Sequence, residues 1–95
     1  MQIDFRFNNL NSLSDLTPKF TRFFKRLDKF TTTFATEFRR VVINISRQSG
    51  QYHVKANMQL PGKNLSVTQT GKNLIKTLVK VRDVLIRQIK HYKTR

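Results

Sequence analysis

Residues 41–71 read VVINISRQSGQYHVKANMQLPGKNLSVTQTG, and this stretch decides the fold. Apolar and polar residues alternate along most of it, which is typical of β-strands with one buried face. The turn signals at 48–50 and 61–62 interrupt the alternation. The predicted strands span 38–47, 51–60 and 65–70. Because their connections are short, we expect an antiparallel meander.

The residues before this meander predict a further strand and a helix. Alternation over 2–7 indicates a first strand with one buried face. Apolar residues then recur at helical spacing, which predicts a first helix over 15–30. Its N-cap is either Thr17, since Pro18 is well suited to the position that follows a cap, or Ser14 one turn earlier.

A long second helix is predicted over 72–93, after the last strand. The element order is therefore β-α-β-β-β-α, an α+β fold with a four-stranded sheet and both helices packed on one face. The first strand reaches the sheet through a helical crossover, so we expect it to lie parallel to its neighbour. A chain of 95 residues fits one domain.

Positive charge dominates the composition, and on the predicted helices it lies mainly on the side opposite the apolar residues. Lys and Arg number 19 against five Asp and Glu, a net charge of +14. At about 100° per residue, the apolar residues of the last helix form a core stripe. That predicted stripe contains Leu74, Leu78, Val81, Leu85, Ile89 and Tyr92. The stripe opposite it contains Lys72, Lys76, Lys80, Arg87 and Lys90, and the first helix repeats the pattern with Arg22, Lys25, Arg26 and Lys29. Unbalanced charge of this kind favours a polyanionic partner.

Other functional classes find little support in the residues. There is no cysteine, the carboxylates are scattered, and His53 and His91 lack ligand partners at metal spacing. We therefore expect no catalytic residue, metal, cofactor or small-molecule substrate. No apolar stretch is long enough for a membrane span. The strand aromatics Phe5, Phe7 and Tyr52 are expected in the core rather than as base-stacking platforms, since they alternate with polar residues.

At this level of detail the sequence resembles the ribosome hibernation-promoting factors, also called ribosome-associated inhibitor or sigma-54 modulation proteins. The segment DVLIRQIKHYK at 83–93 is similar to the family pattern Asp-Lys-Leu-x-Arg-Gln-Leu-x-Lys-His-Lys. GKNLI at 71–75 stands where the family has Gly-x-Asp-Met/Leu-Tyr. Asn9, Leu16, Phe24 and Leu27 match the first helix and its lead-in. The chain departs from the family at Pro18, Asn73, Ile75 and Val79.

The resemblance implies a fold similar to the double-stranded RNA-binding domain with an extra first strand. It also implies binding to the small ribosomal subunit, in the channel that messenger RNA and tRNA anticodon arms occupy. Translation would be blocked and idle ribosomes protected during stationary phase or starvation. The chain looks like the short family form, a single ribosome-binding domain over 1–95 without the C-terminal domain that pairs ribosomes. Its expected location is the cytoplasm, on ribosomes.

The resulting hypothesis is a non-enzymatic translation inhibitor that binds 16S ribosomal RNA, on the small subunit and the whole ribosome, by shape and charge. The predicted RNA-binding residues are Arg22, Lys25, Arg26, Lys29, Lys72, Lys76, Lys80, Arg87, Lys90 and Lys93. A general binder of double-stranded or structured RNA is one alternative, and a module for anionic membrane surfaces or protein partners is another. We expect a monomer without membrane contact, although both sheet edges look open.

Overall fold

The elements of the computed structural model, which describes residues 1–94 and only the backbone of Asn11, follow the order β-α-β-β-β-α. The strands are β1 (Gln2–Asn8), β2 (Arg40–Gln48), β3 (Gln51–Leu60) and β4 (Lys63–Gly71). The helices are α1 (Thr17–Phe24) and α2 (Leu74–Lys93). Short 3-10 helices span Asn11–Leu16, Lys25–Phe30 and Thr36–Phe38. The predicted element order is confirmed.

The four strands form one sheet in the order β1-β2-β3-β4. β1 lies parallel to β2, and the other two pairs are antiparallel, as predicted. The β2–β3 turn has positive φ at Ser49 (53°) and Gly50 (76°), the geometry that matches the twist of a two-residue hairpin. The β3–β4 turn combines Pro61 with Gly62 at a φ of 73°, a conformation that glycine adopts without strain.

The core lies between one face of the sheet and the two helices, which confirms the α+β fold. Its largest fully buried side chains come from both layers. They include Phe20, Phe24, Leu27, Ile43, Ile45, Met58, Leu60, Leu78, Leu85 and Ile89. Phe5, Phe7 and Tyr52 are half-buried and pack against this cluster, so their expected place in the core is confirmed.

The first helical segment differs from the prediction of one helix over 15–30. Only Thr17–Phe24 is α-helical, and 3-10 helices flank it. Pro18 has no N–H to donate to the Ser14 carbonyl, so the α-helix does not continue backwards. The Thr17 hydroxyl donates to that carbonyl instead, at 2.7 Å, and Leu16 occupies the cap position. Both proposed N-caps were therefore wrong.

A threonine lies at the C-terminal end of this helical segment. The buried Thr31 hydroxyl donates to the Leu27 carbonyl at 3.0 Å and lies 3.3 Å from the Asp28 carbonyl. The hydroxyl thus pairs with the Leu27 carbonyl at the helix end, while the Thr31 N–H donates to the Asp28 carbonyl at 3.2 Å. These contacts also explain why the helical segment stops where the sequence places three threonines in succession.

Further boundaries moved, and β4 begins at Lys63 rather than at residue 65. Phe38 belongs to a 3-10 helix rather than to β2, which begins at Arg40. Lys72 precedes α2 instead of lying on it, because Asn73 is the N-cap: its side-chain oxygen accepts the Lys76 N–H at 3.0 Å. Asparagine is among the preferred N-cap residues, so the departure from the family's Asp at position 73 does not weaken this helix start.

An ion pair ties β1 to β2 on the sheet face that carries no helix. The Arg40 guanidinium lies 2.8 Å from the Asp4 carboxylate, and its hydrogen bond is the main cause that lowers the pKa of Asp4. A carboxyl with a lowered pKa in the folded state stabilises the fold above its unfolded pKa, about 3.9. This contribution is lost as the pH falls through the lowered pKa.

Asp4→Asn should therefore flatten the pH dependence of the urea midpoint below about pH 4. A variant as acid-sensitive as the parent would contradict this assignment.

Candidate nucleic-acid interface

The outer side of α2 carries a row of exposed basic side chains, as the helical projection predicts. Lys76, Lys80, Arg87 and Lys90 are all exposed. The buried residues of the helix are Thr77, Leu78, Val81, Leu85, Ile86 and Ile89. Leu74 and Tyr92, both placed in the core stripe by the projection, are half-buried. The helix therefore presents one apolar and one basic side.

The start of α2 is held close to the end of β4. The Thr77 hydroxyl donates to the Asn73 carbonyl at 2.8 Å. A Cβ added at Gly71 would lie 2.6 Å from that hydroxyl oxygen, so only glycine leaves room for this approach. A concave surface of about 390 Å³ lies here, and its lining includes Lys72, Lys76 and Lys80. Lys72 thus joins the basic row from outside the helix.

The second group of basic residues lies on α1 and the 3-10 helix after it. Arg22 is on α1, while Lys25, Arg26 and Lys29 are on Lys25–Phe30. All four are exposed. In a 3-10 helix the side chains three residues apart lie on the same side, so Arg26 and Lys29 are aligned there.

Phe30 joins the two groups. The Lys29 ammonium lies 5.2 Å from the centroid of the Phe30 ring, and the Lys90 ammonium lies 4.9 Å from it. The Lys93 ammonium donates to the Phe30 carbonyl at 3.1 Å. Basic residues some 60 positions apart in sequence therefore meet at Phe30. We call the ten predicted RNA-binding residues together the basic helix surface.

Replacing Phe30 with leucine should destabilise the protein by about 1 kcal/mol, because two exposed cation–π contacts are lost while an apolar side chain remains. Thermal unfolding of Phe30→Leu measures this. Phe30→Tyr keeps the aromatic face and is the matched control, expected to unfold close to the parent. Equal melting temperatures for the parent and Phe30→Leu would show that the ring does not hold the two lysines.

No residue of the basic helix surface forms an ion pair with any described residue. The acidic side chains on α2 and on the 3-10 helix Lys25–Phe30 are engaged elsewhere. Asp28 contacts the Met1 ammonium at 2.9 Å and Arg39 at 3.5 Å. Asp83, which lies within the basic row in projection, pairs with Arg82 at 2.8 Å. The positive charge of the surface is thus left uncompensated, which favours binding of a polyanion.

One basic residue adjoining this surface was not predicted. Lys19 is exposed and lines a groove of about 370 Å³ with Leu16, Tyr52 and Lys72. It falls about 260° from Phe20 in a helical projection, just beyond the range of the other basic residues. A wider angular range would have included it.

The described part of the chain shows no candidate metal site. It holds no group of three or more His, Cys, Asp or Glu residues placed to bind a metal ion. His53 lies on the uncovered sheet face, opposite Ser46 and Thr70 on the neighbouring strands. No described helix is long and apolar enough to cross a membrane. The arrangement supports binding by charge and shape.

These features define a class of protein, a small α+β binding module with an uncompensated basic helical layer. The chain belongs to the sigma-54 modulation protein / S30EA ribosomal protein family, whose model matches residues 3–95. The resemblance seen in the sequence is therefore confirmed. Comparison with curated protein sequences finds no match.

Two solved structures share the fold. The N-terminal domain of Protein Y from Thermus thermophilus superposes with a TM-score of 0.76 at 19% identity, over 97% of this chain and 99% of that one. A ribosomal subunit interface protein from Coxiella burnetii superposes with a TM-score of 0.73 at 20% identity, over the full length of both chains. At these identities the likeness establishes the fold.

Proposed function

We propose that this protein is a ribosome-binding translation inhibitor that occupies the mRNA–tRNA channel of the small subunit. The observation that carries the proposal is the basic helix surface, ten cationic side chains without a described acidic partner. Family membership supports the ribosome as the partner, because the family description names ribosomal proteins. The Coxiella burnetii structure is described as a ribosomal subunit interface protein.

Folded ribosomal RNA presents dense and irregular arrays of phosphates. Cations held on rigid helices suit such a target, and phosphate contacts orient a protein without reading base sequence. The basic helix surface spans α2, about 30 Å long for 20 residues, and the adjoining first segment. Several phosphates can therefore be contacted at once.

Inhibition then follows from occupancy alone. The principal extents of the protein are 39 × 21 × 19 Å, so it forms an elongated body rather than a thin segment. Seated in the channel, such a body excludes messenger and tRNA anticodon arms without any chemical step. The chain acts in this proposal as a single ribosome-binding unit.

Co-sedimentation with purified small subunits and whole ribosomes, at low and high salt, tests the proposal. We expect saturable one-to-one binding that resists excess duplex RNA and is lost when tRNA and messenger fill the channel. Binding should weaken as the salt concentration rises, because phosphate contacts release counterions. Binding that tRNA and messenger leave unchanged would place the protein elsewhere on the subunit.

A general binder of structured RNA is the second candidate, because contacts made by charge alone suit any A-form duplex. Equal competition by duplex RNA in the same experiment would favour it over the ribosomal proposal. A membrane-surface role receives less support, since the apolar side of α2 is buried in the core and is not free to enter lipid. Binding to anionic vesicles but not to RNA would reverse that judgement.

A further inference from the structure

β4 is an edge strand whose outer backbone groups have no described partner. Leu60 and Lys63 face each other across the two-residue turn, so they form the hydrogen-bonded pair that closes the hairpin. The backbone groups of alternate residues then point towards β3 or away from it. The four residues that point away are Asn64, Ser66, Thr68 and Thr70. No described backbone or side-chain hydrogen bond reaches their outward N–H and C=O groups.

A groove of about 480 Å³ runs along part of this edge, between β4 and α2. Its strand side is formed by Lys63, Asn64, Leu65 and Ser66, and its helix side by Arg87, Gln88 and His91. The buried Leu65 provides an apolar floor, and the outward backbone of Asn64 and Ser66 lies within the lining. We call this feature the β4–α2 groove.

The β4–α2 groove combines an open strand edge with positive charge. Lys63 and Arg87 line it, and none of the described lining residues is acidic. An open edge strand is a template for a further strand, to which it binds through main-chain hydrogen bonds. We propose that the groove binds an extended acidic segment of another protein, which adds to the sheet as a fifth strand beside β4.

The hydrogen-bonding groups along the outer edge of β4 favour a peptide strand over RNA. Outward C=O groups alternate with outward N–H groups along β4, and a peptide strand satisfies both kinds. Phosphate oxygens only accept hydrogen bonds, so along this edge they would meet carbonyl oxygens as well as N–H groups.

A second copy of this chain is disfavoured by charge. Pairing two β4 edges would bring together two chains that each carry a net charge of +14, with Lys63 and Arg87 of each copy beside the shared edge. Like charges opposed across an interface suppress association, whereas an acidic segment gains from the same field.

The test begins with a capped nine-residue peptide in which glutamate alternates with valine and threonine. We expect saturable binding by NMR titration, with shifts at residues 63–66 and 87–91 and slowed hydrogen exchange at the Ser66 and Thr68 amides. The same peptide N-methylated at every residue should bind at least about tenfold more weakly, because neither of its edges keeps the amides that pair with β4. A version with lysine in place of glutamate should not bind.

Variants of the protein provide the second arm. Ser66→Pro removes an outward N–H without breaking a bond to β3, and proline is tolerated on edge strands at such positions. It should weaken peptide binding at least about tenfold, because one main-chain hydrogen bond is lost and the proline ring hinders the approach of the added strand. Ser66→Ala keeps the backbone and should bind as the parent does. Lys63→Glu should also weaken binding and covers the case in which the proline variant fails to fold.

Three results would overturn the proposal. One is equal binding of the N-methylated and unmethylated peptides, which excludes strand addition. Another is displacement of the peptide by a short RNA duplex that shifts the same β4 amides, which makes the groove an RNA site. The third is dimerisation at micromolar concentration that Ser66→Pro abolishes, which makes a second copy the occupant. Arg87 belongs both to the β4–α2 groove and to the basic helix surface. The varied residues, Lys63 and Ser66, lie outside that surface, so ribosome binding measured in the same variants tests the two proposals separately.

Discussion

Replacing Lys76 and Lys80 with glutamate is expected to lower the affinity for small ribosomal subunits by about 50-fold or more in 0.1 M salt. Each phosphate contact contributes close to one unit to the slope of log affinity against log salt, so two lost contacts remove nearly two logarithmic units at that concentration. The salt dependence itself should flatten by about two units of slope. Sedimentation binding at several salt concentrations measures both quantities.

The substitutions are chosen so that the fold survives them. Position 76 lies in the first turn of α2, where a negative charge is favourable beside the helix N-terminus. Asn73 followed three residues later by glutamate also resembles a capping box. Glutamate at position 80 meets Asp83 one turn away, at a cost of about 0.2–0.5 kcal/mol.

The matched control carries the same change in net charge on the sheet. Arg6 and Lys55 are exposed residues of β1 and β3 and lie outside the basic helix surface. Arg6→Glu with Lys55→Glu should change affinity far less than Lys76→Glu with Lys80→Glu. Equal losses in the two double variants would mean that net charge, and not the helix surface, determines binding.

Phe20→Ala is expected to destabilise the fold by about 3–5 kcal/mol, the cost of removing a buried aromatic side chain. Phe20 is fully buried, and its ring centroid lies 5.9 Å from that of Phe5 and 6.4 Å from that of Phe7. A helix as short as α1 depends on such packing, because eight residues are too few to be stable alone. The loss is a large part of the about 5–15 kcal/mol typical of a folded domain.

Thermal unfolding should show the melting temperature of Phe20→Ala lower by about 15–30 °C. Lys19→Ala is the control, since Lys19 is the exposed neighbour of Phe20 on the same helix and its loss should cost less than about 0.5 kcal/mol. A fall of only a few degrees in Phe20→Ala would show that α1 does not depend on this ring for its attachment to the sheet.

The strands and their pairing could be predicted because their signals are local. Alternating apolar residues specify the buried face, and the turn residues at 49–50 and 61–62 join strands at the required spacing. The amphipathic character of α2 could be predicted equally well, since the apolar residues of its buried side recur every three or four positions. The first helical segment was not, because periodicity does not distinguish an α-helix from successive 3-10 turns around Pro18 and Thr31.

By itself the sequence determined the order of elements, the parallel first strand and the presence of two basic helical segments. Only the tertiary structure decided that Asp28 pairs with the Met1 ammonium and Arg39, that Lys29 and Lys90 meet at Phe30, and that β4 keeps an open edge beside α2. The physical reason is the distance along the chain over which each kind of interaction acts. Propensity and periodicity act between residues a few positions apart, whereas charge compensation and surface shape depend on side chains that folding brings together from distant parts of the chain.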